Sequence, residues 1–150
     1  MIDANLQMVY VPSRDHTDSI ILLLDEGYSI GSLSAQELAR YDFDKGRLIL
    51  YIEETINTGD QFHISINYSG SIKLTNQPGE DVFLIDRNLK WFPHRNDIHD
   101  MEYNIRLVLP EEYAIKDYKG STDKLNEYLI ESLNPSSDIC FQIQRKIESK

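Results

Sequence analysis

The sequence predicts an all-β, antiparallel domain, a sandwich or saddle-like sheet of about eight to ten strands. Apolar residues alternate with polar ones at a period of two along several segments, which places one side-chain set on a core face and the other toward water. Turn signals such as Asp25-Glu26-Gly27, Asp44-Lys45-Gly46, Asn57-Thr58-Gly59-Asp60 and Asn76-Gln77-Pro78-Gly79 punctuate those segments at short spacing. The chain has 150 residues and no internal repeat, low-complexity tract or linker, so residues 1–150 read as one domain.

Taken in order, the first strand candidates are Asn5–Val11, Ser19–Leu24, Tyr28–Leu33 and Arg47–Glu53. Phe62, Ile64, Ile66 and Tyr68 then alternate with Gln61, His63, Ser65 and Asn67. Asp81–Ile85 and Tyr113–Tyr118 carry weaker strand patterns. Between them, Met101, Tyr103, Ile105, Leu107 and Leu109 alternate with Glu102, Asn104, Arg106 and Val108, and near the C-terminus Ile139, Phe141 and Ile143 alternate with Cys140, Gln142 and Gln144. Two places invite a helix. Ser34-Ala35-Gln36-Glu37 has capping-box spacing but no helical run follows, so one turn at most is expected there. In Thr122–Leu133, Leu125, Tyr128, Leu129 and Leu133 fit helical spacing, yet the surrounding β pattern favours a strand. Pro135-Ser136-Ser137 reads as a hairpin loop.

Composition narrows the function. At 41% hydrophobic and 27% charged residues the chain is ordinary for a folded protein, which argues against disorder. A formal net charge of −10, with no run of Lys and Arg, argues against nucleic-acid binding, since the phosphate backbone would be repelled. No segment approaches the roughly 18 apolar residues that cross a bilayer. The N-terminus MIDANLQMVY lacks the basic start and apolar core of a signal peptide, so a cytoplasmic protein is expected if Met1 is native. Cys140 is the only cysteine, which excludes an intrachain disulfide.

The densest polar cluster is Pro93-His94-Arg95-Asn96-Asp97-Ile98-His99-Asp100. His94, Asp97, His99 and Asp100 are candidate metal ligands there. The two histidines are five positions apart, a spacing that shares a face in neither helix nor strand, so only a loop brings them together. The other reading is a polar loop whose side chains cap the next strand. His63 stands on the polar side of a strand, and His16 lies in a polar loop between Asp15 and Asp18. The adjacent carboxylates Glu53 and Glu54, Glu111 and Glu112, and Asp25 and Glu26 point to opposite faces of a strand or flank turns, which does not suit paired acid–base work. Trp91, Phe92 and Pro93 belong to a core or an interface, and Asp86 and Arg87 form either a groove-lining or a surface ion pair.

Several segments, in order, resemble the N-terminal β domain of the aminopeptidase N family of zinc metallopeptidases. "SIILLLDEGYSIGSLS" resembles the family's early strand, turn and strand. "GRLILYIEETINTGDQFHISINYSG" is similar to its paired strands. "LKWFPHRNDIHDMEYNIRLVLPEEYAIKDYKG" resembles the stretch with an aromatic before Pro and a Tyr-containing strand closed by Leu-Pro. "LNPSSDICFQI" resembles the strand that ends the domain. Order and spacing carry the resemblance across most of Ser19 to Ile143; each fragment alone is a generic β pattern. It implies a saddle-shaped β domain that packs on a thermolysin-like catalytic domain, in the same or a partner chain, and helps wall a cavity for peptide substrate.

The chemistry of that family is absent from this sequence. There is no HExxH motif and no Gly-x-Met-x-Asn strand, which in the family lie downstream of this domain. No catalytic residue and no cofactor are therefore expected here, and zinc only in a downstream catalytic domain. Where the family often uses a Gln or Glu to hold the substrate's free amine, alignment on Pro93 places Val82 or Leu84, whose side chains accept no hydrogen bond. His94 stands where a Cys or similar residue usually follows the Pro, and Asp97 stands for the Asp at that turn. The resemblance makes Trp91, Phe92, Pro93, His94, Asp86 and Arg87 the candidate interface residues. The alternative from composition and alternation alone is a free-standing β-sandwich that binds protein or carbohydrate.

Overall fold

Strand β1 (Ile2–Tyr10) buries Ile2, Ala4, Leu6, Met8 and Tyr10 and turns Asp3, Asn5, Gln7 and Val9 the other way. It pairs antiparallel with β6 (Phe62–Gly70) on one side and β8 (Met101–Val108) on the other. Strand β3 (Ser29–Ala35) adds to β6 and β10 (Glu127–Ser132) adds to β8, giving a five-stranded sheet in the order β10-β8-β1-β6-β3. Register sorts the side chains. Ile130, Ile105, Leu6, Ile66 and Leu33 form one row across the inner face. The next row, Leu129, Arg106, Asn5, Asn67 and Ser32, lies on the outer face. Ile105, Leu6 and Ile66 are all fully buried, and each contributes about 1.5–3 kcal/mol of burial.

Two smaller antiparallel sheets complete the described fold. Strands β2 (Thr17–Leu23), β4 (Leu38–Asp44) and β5 (Arg47–Ile56) form one, in the order β2-β5-β4; Ile20, Leu22, Leu48 and Leu50 are its buried contribution. Strands β7 (Val82–Ile85), β9 (Tyr113–Ile115) and β11 (Phe141–Arg145) form the other, in the order β7-β11-β9, burying Phe83, Ile85, Ile115 and Ile143. The three inner faces meet in one hydrophobic core. The computed structural model describes residues 2–12, 15–71, 82–85, 89–94, 101–116, 124, 126–132 and 141–146. The predicted fold class, an all-β antiparallel sandwich, is the one observed.

Turn chemistry sets the hairpins. Lys45 and Gly46 link β4 to β5 with φ of 50° and 77°, the double positive φ of a type I′ turn. Gly59, at φ 91°, opens the β5–β6 connection, where the Asp60 carboxylate accepts a hydrogen bond from the Asn57 amide at 2.8 Å. The predicted strands appear with shifted ends, and β10 falls in the segment whose helical spacing was ambiguous: Ile130 pairs with Ile105, and this tertiary contact overrides the local pattern.

One strand, β4, is absent from the sequence reading. Ser34-Ala35-Gln36-Glu37 makes no helical turn; Gln36 and Glu37 are a two-residue turn, Glu37 has a φ of 62°, and strand β4 follows directly. Strand β4 was not foreseen because Arg40, Asp42 and Asp44 leave its apolar set, Leu38, Tyr41 and Phe43, only partly covered. Gln36 and Glu37 carry the chain from the edge of the five-stranded sheet to the edge of the β2-β5-β4 sheet. The Glu53 amide anchors the crossing by donating to the Glu37 carbonyl at 2.7 Å.

Candidate functional site

The segment from Leu89 to His94, which the sequence marked as aromatic and polar, is a clamp between sheets. Its backbone docks on the end of β2. The Leu23 amide donates to the His94 carbonyl at 2.7 Å, the His94 amide returns a bond to the Leu23 carbonyl at 3.1 Å, and the Asp25 amide donates to the Lys90 carbonyl at 2.9 Å. Lys90 takes a φ of 48° to make this approach. The side chains turn inward. Trp91 meets Phe141 of β11 edge to face at 5.1 Å and Phe92 at 4.8 Å; Phe92 meets Tyr103 of β8 at 5.3 Å. One short segment therefore touches all three sheets.

This burial decides what the segment can do. Trp91, Phe92 and His94 are 0%, 2% and 3% exposed, so their side chains are spent on the domain's own core. Pro93 lies between them. The His94 ring packs tilted against Phe92 with centroids 5.0 Å apart, and its Nδ1 lies 2.8 Å from the Phe92 carbonyl, where a protonated Nδ1 donates. Asp97, His99 and Asp100, the other candidate ligands, and the candidate ion pair Asp86 and Arg87 lie outside the described residues. Among the described residues no group of three His, Cys, Asp or Glu side chains is placed to hold a metal ion. Val82 is half-buried on β7, next to Phe83.

The remaining polar candidates are scattered. His63 is exposed on β6. Asp15 and His16 tie their loop to the β5–β6 connection: Asp15 accepts from the Thr58 amide at 2.9 Å, and the His16 amide donates to Asn57 Oδ1 at 3.0 Å. The bond from Thr58 holds the Asp15 carboxyl below its usual pKa. Glu53, Glu54, Glu111 and Glu112 are exposed, and Asp25 accepts from the Gly27 amide to close a turn. Sequence reasoning missed Glu127, a buried carboxylate with Arg106 at 3.4 Å and Lys124 at 3.9 Å. No motif marks Glu127; only the pairing of β10 with β8 brings it beside Arg106.

The outer faces of two of the sheets differ in character. The five-stranded sheet presents amides and hydroxyls bonded to one another: Asn5 donates to Asn67 at 2.6 Å, Asn67 to Ser32 at 2.7 Å and Gln7 to Ser65 at 2.8 Å. Beside this network lies a shallow depression of about 320 Å³, with Asp3, Asn5, Asn67, Ser69 and Arg106 in its wall. The β2-β5-β4 sheet presents an apolar strip instead. Ile21 is 42% exposed, and Leu23, Ile49 and Tyr51 are half-buried beside it. Arg40 rims the strip, with its guanidinium 3.9 Å over the Tyr51 ring and 2.9 Å from Asp42.

No family model and no curated protein matches the sequence. The fold does find relatives among solved structures. An M1 zinc metallopeptidase from Deinococcus radiodurans matches with a TM-score of 0.68 at 10% identity, over 95% of this chain and 37% of that one. The chain has the fold of one domain of an M1 zinc metallopeptidase. A single-site mutant of the Deinococcus radiodurans protein bound to a Tyr-Ser-Ala substrate matches with a TM-score of 0.67 at 11% identity, over 95% of this chain and 38% of that one. A two-domain M1 mutant bound to L-tryptophan matches with a TM-score of 0.66 at 11% identity and the same coverage. The present chain thus spans little more than a third of each M1 chain, consistent with an N-terminal domain, and the similarity bears out the resemblance to the β domain of the aminopeptidase N family. Among the described residues no helix is long and apolar enough to cross a membrane.

Proposed function

We propose that this chain is a non-catalytic accessory domain of a metallopeptidase-like protein, which packs on a catalytic domain and shapes the access of peptide to it. One observation carries the reading: nearly the whole chain, 95%, matches only 37% of the M1 structures. The sequence agrees, since it holds neither HExxH nor the Gly-x-Met-x-Asn strand, and zinc would belong to the catalytic partner. The packing surface that best suits this role is the apolar strip of Ile21, Leu23, Ile49 and Tyr51, because interfaces between domains need contiguous apolar area that a free surface does not. The mechanism is geometric: one sheet seats the domain, and its rim narrows the entrance.

The test is the coding frame beyond the codon for Lys150, followed by methyl NMR of the protein it encodes with a soluble paramagnetic probe. A downstream HExxH, with the Ile21 and Ile49 methyl groups shielded from the probe in the longer protein and open to it in the 150-residue chain, is the expected result. A stop codon at that point, or equal accessibility of those methyl groups in both, would sink the covalent accessory-domain reading. A carbohydrate module is less well supported, because the described residues offer Tyr41 as their one exposed large aromatic and keep Trp91 inside.

A further inference from the structure

Edge strands of a β-sheet carry unpaired amides and carbonyls, and proteins guard them with charge, Pro or brevity. Most edges here follow that rule. Strand β10 carries Glu127 and Glu131, β4 carries Arg40, Asp42 and Asp44, and β7 and β9 have four and three residues. Strand β3 does not. It ends the five-stranded sheet, is seven residues long, and reads Ser-Ile-Gly-Ser-Leu-Ser-Ala with no charge from Tyr28 to Gln36. Gly31 is exposed and has no side chain, so backbone itself faces solvent there, at the bulge between Ile30 and Ser32. The inward residues Ile30, Leu33 and Ala35 are only half-buried, so the core stays partly open along this edge.

Acidic groups flank both ends of β3. At the Ser29 end a depression is lined by Glu26, Tyr28, Phe43, Asp44 and Lys45. At the Ala35 end a second is lined by Gln36, Glu37, Asp60 and Phe62. We infer that β3 is a strand-addition site for an extended segment of a partner protein, with alternating apolar residues and a Lys or Arg at each end. The backbone edge supplies the main-chain hydrogen bonds, the half-buried Ile30 and Leu33 favour apolar side chains on one face, and the terminal carboxylates select basic ends. A seven-residue strand spans roughly 23 Å, which sets the separation of the two cations. A second copy of this chain does not fit: its net charge is −10, and its own β3 has acidic, not basic, ends. This surface is separate from the apolar strip and does not rest on the metallopeptidase reading.

The probe is a capped peptide, Lys-Thr-Val-Thr-Val-Thr-Val-Thr-Lys, titrated into the 150-residue chain with amide exchange and chemical shifts as readout. Protection gained along Ser29–Ala35 is expected, with binding weakened about tenfold or more when Glu replaces both Lys. Ser34→Lys, which charges the exposed edge, and the pair Glu26→Lys and Glu37→Lys should each weaken binding similarly while leaving the thermal transition in place. Equal binding by Lys- and Glu-ended peptides, protection that maps elsewhere, no binding, or self-association through β3 in ultracentrifugation would each overturn the inference.

Discussion

Gly70, the last residue of β6, has no room for a side chain. A methyl built there would lie 2.6 Å from Cδ1 of Tyr28 and 3.0 Å from both the Gly27 carbonyl oxygen and Tyr28 Cα. Ordinary contacts of this kind are about 3.5–4.0 Å, so something must move by roughly an ångström. The Tyr28 ring cannot swing freely, because it is 4% exposed and packs edge to face on Tyr68 at 5.6 Å. Overpacking of this kind costs about 1–3 kcal/mol, and the reduced freedom of the unfolded chain on Gly→Ala returns about 0.4–1 kcal/mol. Gly70→Ala should therefore destabilise by about 1–2 kcal/mol, a fall in Tm of about 2–8 °C for a chain of this size. Calorimetry of Gly70→Ala, Tyr28→Ala and the double variant measures this directly. The steric account requires Gly70→Ala to cost much less in the Tyr28→Ala background. An unchanged Tm in the single variant, or the same cost in both backgrounds, would refute it.

Further outcomes follow from the same packing. The hydroxyls of Tyr28 and Tyr68 are buried with no hydrogen-bond partner among the described residues, so Tyr68→Phe should leave stability unchanged or raise it by about 1 kcal/mol in urea unfolding. Burial raises both phenol pKa values, helped at Tyr28 by the charge of Asp25 and at Tyr68 by Tyr28. The folded state thus holds these protons more tightly than the unfolded one; that contribution is complete below about pH 10 and lost as pH rises above it. The double Phe variant should show a flatter stability profile in alkali, and an unchanged slope would count against the assignment. His94→Ala removes a buried ring and its bond to the Phe92 carbonyl and should cost about 2–4 kcal/mol in denaturant unfolding. Zinc titration should give the same heat with and without that substitution; a site lost in His94→Ala would instead make His94 a ligand. Asp15→Asn should speed exchange of the Thr58 amide. Because the folded pKa of Asp15 is lowered, its contribution is present above about pH 4 and fades as pH falls below that.

How much of this was legible in the sequence follows from what alternation encodes. A period of two tells which side chains share a face, and Leu6, Ile66 and Ile105 are buried as their patterns require. Turn residues tell where the chain reverses, and Asp44-Lys45-Gly46 does so with the φ values such a turn demands. Missing motifs are equally legible: the sequence holds no HExxH and no Gly-x-Met-x-Asn. The order of fragments also sufficed to point to the fold later seen in the M1 structures.

Alternation does not say which sheet a strand joins, since pairing is a contact between residues far apart in the chain. Strands β3 and β4 are consecutive yet lie in different sheets, and that crossing leaves β3, among the described strands, as an uncharged edge with β6 as its neighbour. Likewise Trp91, Phe92 and His94 read locally as core or interface alike. Only their docking on Leu23 and against Phe141 and Tyr103 placed them inside, and left Ile21, Ile49 and Tyr51 as the apolar face that looks outward. Composition and period determined the kind of fold; the long-range pairing of strands decided which of its surfaces remain free to meet another protein.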